Sequence, residues 1–94
     1  MSTVRMPPIL RAAVGGAREV DASGDTVREL LDDLTSRFPG IRSQLLDENG
    51  DLNRFVNVYV NSEDVRLVKG LETPVESDAT VIVLPAMAGG AGRP

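Results

Sequence analysis

One amphipathic helix, predicted at residues 26–38, limits the folds open to this 94-residue sequence more than any other feature. Thr26 and Glu29 are spaced as in a capping box, in which their side chains bind amides that the first helical turn cannot pair internally. Pro39-Gly40 ends the helix. The apolar side chains recur at helical spacing and form one stripe: Val27, Leu30, Leu31, Leu34 and Phe38. A helix with a single apolar face needs another layer to cover it.

Strand patterns lie on both sides of this helix. We expect a strand at Val4 to Met6 that continues irregularly past Pro7-Pro8 into Ile9-Leu10, because the prolines withhold two backbone donors. Gly15-Gly16 then turns the chain into a partner strand, which makes residues 3–21 a β-hairpin with a loose loop. Three further strands are predicted: residues 55–60, with Val56, Val58 and Val60 on one face, a short return strand at 65–67, and the last strand at 80–84.

The order of the elements is strand, strand, helix, strand, short strand, strand. The near-continuous apolar run from Val81 to Leu84 favours a central strand that lies parallel to the first strand. The sequence therefore predicts an α+β fold of the ubiquitin-like β-grasp type, with a mixed sheet of four to five strands packed on one main helix. Residues 1–85 are predicted to form this β-grasp domain, and residues 86–94 a flexible C-terminal tail.

The side chains of the sequence exclude most catalytic chemistry. The chain has no Cys and no His, which removes thiol nucleophiles, Cys/His zinc sites and the commonest general base. The acidic loop from Asp47 to Asp51 lacks the ligand alternation of a calcium loop, so we expect no metal site. Because Cys and His are absent, we also expect no catalytic side chain. A net charge of −4 with scattered basic residues argues against nucleic acid. With no signal peptide and no apolar run of roughly 20 residues, we expect a cytoplasmic protein that does not bind a membrane.

The ending Ala88-Gly89-Gly90 behind an apolar strand is unusual. Glycines allow a chain to thread a narrow channel in a partner, and they leave the terminal carbonyl open to a nucleotide or a nucleophile. On this interpretation the main-chain carboxylate of Gly90 is the reagent. The glycine content by itself fits a disordered tail or a linker remnant as well.

Segments distributed from about residue 4 to residue 90 resemble one family. They are Ile9-Leu10-Arg11 before Gly15-Gly16, Ala22 to Thr26, Arg54 to Asn61 with Glu63 to Arg66, and Leu84-Pro85-Ala86 leading to Ala88-Gly89-Gly90. Taken together, these segments resemble the ThiS/MoaD family of ubiquitin-like sulfur carrier proteins, and its CysO type in particular. Residues 54–66 are the most specific of them, whereas the two glycines alone are a weak signal.

The resemblance implies a mechanism in which the chain is a co-substrate and not an enzyme. An E1-like adenylyltransferase and sulfurtransferase would use ATP to adenylate Gly90, and a sulfur donor would convert the adenylate to a thiocarboxylate. The acceptor would be a PLP-dependent cysteine synthase, followed by release of cysteine by a zinc-dependent JAMM-type metalloprotease. Thiazole synthase, molybdopterin and secondary-metabolite routes are the other acceptors open to the family. The resemblance implies that ATP, PLP and zinc belong to the partners, and that the carrier binds no cofactor.

The sequence departs from the family pattern after the second glycine, where the family ends and Ala91-Gly92-Arg93-Pro94 follow here. An amide at Gly90 cannot be adenylated. We therefore predict a precursor that is cleaved between Gly90 and Ala91, with the JAMM-type enzyme as the candidate protease. The alternatives are residues foreign to the natural chain, or a carrier that has lost its function.

Side-chain alternation also predicts a docking face. Val81 and Val83 are expected to point toward the helix, so Ile82 and Leu84 point away from it. We predict that partner enzymes dock on an outward apolar cluster, since such patches often mark interaction surfaces: Phe55, Tyr59, Ile82 and Leu84. The alternative is that Phe55 and Tyr59 only cover the sheet edge.

Two other functions remain open at this point. The first is a ubiquitin-like protein modifier, in which the activated glycine is joined to a lysine of a target. The second is a non-catalytic β-grasp adaptor, for which the tail would be irrelevant.

Overall fold

The computed structural model describes residues 1–85, which contain five strands and three short or medium α-helices. The strands are β1 at Ser2–Arg5, β2 at Glu19–Ala22, β3 at Val56–Val60, β4 at Glu63–Asp64 and β5 at Thr80–Pro85. The helices are α1 at Pro8–Arg11, α2 at Val27–Arg37 and α3 at Arg42–Leu45. The predicted tail, residues 86–94, lies outside the described residues.

The strands form one mixed sheet in the order β2-β1-β5-β3-β4. At its centre β1 runs parallel to β5, with Val4 opposite Val81. The three other pairings are antiparallel. Both the mixed sheet and the central parallel pair predicted from the apolar run at Val81 to Leu84 are confirmed, and the fold is a β-grasp.

The apolar stripe of α2 packs on one face of this sheet. Its core residues Val27, Leu30, Leu31 and Leu34 are fully buried, together with sheet residues Val4, Val58, Val81 and Val83. Phe38 is the exception in the predicted stripe, because it follows the last helical residue and is only partly buried against the core. The short helix α3 also faces the core, since Leu45 and the preceding Ile41 are fully buried.

The start of α2 is capped by Thr26, as predicted. The Oγ1 of Thr26 accepts a hydrogen bond from the Glu29 amide at 3.3 Å. The Glu29 carboxylate reaches back further than expected and accepts from the amide of Asp25 at 2.9 Å. Gly24 passes so close to the helix that a Cβ there would lie 2.4 Å from the Leu30 nitrogen, so the chain needs glycine at this point.

The predicted continuation of the first strand through Ile9 and Leu10 is wrong. The chain turns into α1 instead, with Pro8 at the first helical position, where a missing N–H costs nothing. Leu10 and Val14 are buried, so the segment contributes to the core. The hairpin itself is confirmed, since β1 pairs with β2 in antiparallel register.

The predicted return strand at residues 65–67 is also wrong. The turn at Asn61 and Ser62 has φ values of 48° and 77°, and it leads into β4, which has only two residues. Residues 65–67 then form a 3₁₀ turn, which begins where the Asp64 carboxylate accepts from the Arg66 amide at 2.9 Å. The Asp64 carboxylate thus pairs a backbone amide that a neighbouring strand would otherwise pair. In the resulting turn, the side chain of Val65 is fully buried in the core.

Candidate functional site

The sheet face opposite α2 brings together three of the four predicted docking residues. Tyr59 lies opposite Ile82, and Asn57 lies opposite Leu84. Tyr59 and Ile82 are half-buried, whereas Leu84 keeps 43% of its surface exposed. Because paired residues on one face of a sheet have neighbouring side chains, the three form a continuous apolar strip along β3 and β5.

Phe55 is separated from this strip. It precedes β3 in a turn, where its amide donates to the Asn53 side-chain oxygen at 2.9 Å, and it is 52% exposed. Its ring lies under the Arg54 guanidinium, 5.0 Å from it, and lines a groove beside Pro39 and Leu46. The alternation that holds from Val56 to Val60 therefore does not extend back to Phe55, because the turn breaks the strand.

A second and larger groove of about 1050 Å³ adjoins Leu84. Its walls come from the end of β1, from α1, from the start of β2 and from the end of β5: Arg5, Met6, Pro7, Pro8, Ile9, Arg11, Arg18, Glu19, Ile82, Val83, Leu84 and Pro85. Ile9 is 71% exposed at its rim. We call this feature the α1–β5 groove.

The helix α1 creates the groove. The side chains of Leu10 and Val14 anchor this segment in the core, and the Arg11 Nε donates to the Met6 carbonyl oxygen at 3.1 Å. This anchoring leaves Ile9 facing outward. Sequence reasoning missed Ile9, although the signal was present: a proline suited to a helix start is followed by apolar residues at positions 10 and 14, four apart.

The predicted reagent lies just beyond this site in sequence. Pro85 is the last described residue, and Ala88, Gly89, Gly90 and the Gly90–Ala91 bond lie outside the described residues. Within residues 1–85 there is no group of three Asp or Glu side chains placed to hold a metal ion. No helix in that part of the chain is long and apolar enough to cross a membrane.

Comparisons with known proteins agree on one family. The ThiS family model matches residues 4–90. The sulfur carrier protein CysO of Mycobacterium tuberculosis is 48% identical over 90 residues, which cover 94% of this chain and 97% of the relative. Among solved structures, a chain of the Amycolatopsis orientalis BexX/CysO complex has a TM-score of 0.88 at 50% identity, with coverage of 96% of this chain and 100% of that chain.

A third relative is named as a protein modifier. The small archaeal modifier protein 1 of Methanosarcina acetivorans has a TM-score of 0.81 at 28% identity, and 95% of each chain is covered. All of these proteins share the β-grasp arrangement described above. Because the family match runs from β1 to the second glycine of the tail, this chain belongs to the ThiS family, as the sequence segments suggested.

Proposed function

We propose that this chain is a sulfur carrier protein whose Gly90 carboxylate, once residues 91–94 are removed, becomes a thiocarboxylate that donates sulfur in biosynthesis. One observation carries the proposal: the family match ends at Gly90, the residue whose carboxylate the chemistry requires. The similarity to CysO over nearly the whole chain favours cysteine as the product. Thiamine, molybdopterin and secondary-metabolite routes differ only in the acceptor.

The chemistry takes place at the main chain. The Gly90 carboxylate attacks the α-phosphate of ATP, pyrophosphate leaves, and an acyl adenylate forms. A sulfur nucleophile then attacks the carbonyl carbon, AMP leaves, and a C–S bond replaces the C–O bond. An E1-like enzyme supplies the ATP site and the catalytic groups. The sequence itself contains neither a Cys nor a His that could act as nucleophile or base.

Residues 91–94 block this sequence of reactions in the chain of 94 residues. Gly90 is joined to the amide nitrogen of Ala91, so it has no free carboxylate whose oxygen could attack ATP. We propose that cleavage between Gly90 and Ala91 precedes activation. A JAMM-type metalloprotease is the candidate, since the same type of enzyme would cut next to this glycine again to release cysteine.

The partners would dock on the strip formed by Tyr59, Ile82 and Leu84. The exposure of Leu84, a large apolar side chain on the same sheet face as the half-buried Tyr59 and Ile82, supports this assignment. Phe55 would contribute only to a partner broad enough to reach the neighbouring groove. The CysO relative of A. orientalis was solved in a complex with BexX, which supports a carrier that works through a second protein such as a cysteine or thiazole synthase.

The deciding experiment compares residues 1–90 with residues 1–94. Each is incubated with an E1-like activating enzyme, ATP and a sulfide source, and its intact mass is measured. The shorter chain is expected to gain the mass difference between sulfur and oxygen, and the longer chain to stay unchanged. A shorter chain that never gains sulfur would contradict the proposal.

A protein modifier is the second candidate, favoured by the structural similarity to small archaeal modifier protein 1. The same mass measurement separates the two functions, because conjugation to a lysine produces adducts of protein size. Deletion of Gly89 and Gly90 tests the adaptor function. An adaptor would bind its partner as before, whereas a carrier would lose sulfur transfer.

A further inference from the structure

The α1–β5 groove has a charge opposite in sign to that of the whole molecule. Its walls hold three arginines, Arg5, Arg11 and Arg18, against one acid, Glu19. The chain as a whole has a net charge of −4. Three of the ten basic residues of the sequence are thus gathered by α1 and the β1–β2 hairpin at one groove.

Two of these arginines are available to a partner. Arg5 lies 3.6 Å from Glu19, but both side chains are more than half exposed, so the pair is weak and screened by solvent. The Arg18 side chain makes neither a hydrogen bond nor an ion pair with any other residue in the range 1–85. Arg11 differs, because its Nε is bound to the Met6 carbonyl oxygen and braces α1.

The floor and rim between the arginines are apolar. Ile9 is 71% exposed on one side, and Leu84 is 43% exposed on the other. Pro85 also lines the groove, so the groove adjoins the last residue that the structure describes. Apolar anchors surrounded by charged residues are typical of protein interfaces.

We infer that the α1–β5 groove seats an acidic segment of the activating enzyme, with an apolar side chain against Ile9 and Leu84 and carboxylates facing Arg5 and Arg18. The inference rests on the proposed function, since it names the partner of that same tail. The positive charge of the groove favours an acidic occupant. A second copy of this acidic chain and a nucleic acid are also acidic, so the test must distinguish them from the activating enzyme. Opposite charges at the rim of an interface mainly speed association and make it depend on salt.

The test uses residues 1–90 and measures ATP–pyrophosphate exchange catalysed by an E1-like activating enzyme. The groove variant carries Arg5→Gln and Arg18→Gln. The control carries Arg28→Gln and Lys69→Gln, which removes the same charge from exposed positions outside both grooves. Arg28 donates to Glu72 at 2.7 Å, and this hydrogen bond raises its pKa above the ordinary value; the pair is exposed, so its loss costs little stability.

We expect the groove variant to raise KM about tenfold with kcat unchanged and to flatten the dependence of KM on salt. The control should stay within about twofold of the parent chain. Ile9→Ser should also raise KM, because the anchor lies at the rim and not in the core. Equal KM values for groove variant and control, with both folded by circular dichroism, would overturn the inference.

Failure of the proposed function is recognised separately. If the parent chain is not adenylated at all, the dissociation constant of the enzyme complex is measured directly at low and high salt for the same three proteins. Weaker binding by the groove variant alone would then support the groove and reject the carrier mechanism. Self-association of the parent chain that is lost in the groove variant, or binding of a single-stranded oligonucleotide there, would assign the groove to another ligand and overturn the inference.

Discussion

The Nη1 of Arg66 donates a hydrogen bond to the carbonyl oxygen of Val56 at 2.7 Å and covers the edge of β3 that β4 is too short to reach. The same guanidinium also binds the Asn57 side-chain oxygen and the Asn53 carbonyl oxygen, each at 2.8 Å. One side chain therefore replaces part of a strand and fixes the turn that precedes β3. Exposed strand edges promote pairing with other chains, so this cover also hinders such pairing along β3.

Replacing Arg66 with alanine should lower the free energy of unfolding by about 1–2 kcal/mol, because three hydrogen bonds to a charged but exposed group are lost. Urea denaturation measures the change. Arg54→Ala is the matched control, since Arg54 only covers the Phe55 ring, and it should cost less than about 0.5 kcal/mol. Arg66→Lys should recover only part of the loss, because an ammonium lacks the planar fork. Equal losses for Arg66→Ala and Arg54→Ala would contradict the role assigned to Arg66.

Gly24→Ala should destabilise the fold by about 1–3 kcal/mol, because the new methyl group would overlap the backbone of α2 and force a shift. Thermal unfolding followed by circular dichroism measures the loss. Gly40→Ala is the control, since no atom outside its chain neighbours lies within 4 Å of a Cβ at that position. A midpoint for Gly24→Ala as high as that of Gly40→Ala would show that the close approach is not needed.

Ser62→Gly should stabilise the protein by about 0.5–1 kcal/mol. Ser62 has a φ of 77°, and this left-handed conformation has a higher conformational free energy for a residue with a Cβ than for glycine. Asn-Gly is also the preferred pair in two-residue hairpin turns. Ser77→Gly, at an exposed position without a positive φ, should give no stabilisation. The two variants are compared by urea denaturation, and a loss of stability in Ser62→Gly would argue against the turn described.

The double variant Leu84→Ser and Tyr59→Ser should raise the KM of activation by about 10- to 100-fold, since two apolar contacts with the enzyme are lost. Its fold should persist, because neither side chain is in the buried core. Leu67→Ser is the control: Leu67 is 86% exposed in the 3₁₀ turn after β4 and is not one of the residues of the strip. Unchanged activation of the folded double variant would remove the docking role from Tyr59 and Leu84.

Much of the fold could be predicted because its signals are local and periodic. The spacing from Val27 to Leu34 defines one helix face without reference to the rest of the chain. The alternation from Val56 to Val60 and the apolar run from Val81 to Leu84 similarly indicate which residues face the core. The relative positions of Ile82, Leu84 and Tyr59 follow from these patterns, since alternation fixes the face on which each side chain lies.

The errors in prediction lie where a backbone group is paired by a distant or polar partner. Pro7-Pro8 could end a strand or start a helix, and burial of Leu10 and Val14 decided in favour of α1. Residues 65–67 have a strand-like composition, yet the Asp64 carboxylate starts a 3₁₀ turn there.

The sequence by itself determined the β-grasp class, the single packed helix and the glycine ending that marks the candidate reagent, because each depends on residue type and on spacing along the chain. Only the tertiary structure decided that Phe55 leaves the docking strip and that Arg5 and Arg18 meet Ile9 and Leu84 in one groove. The physical reason is the range of the interactions. Hydrophobic periodicity is read within a few residues, whereas the position of a side chain beside residues more than sixty places away depends on how the β1–β2 hairpin and β5 pack together.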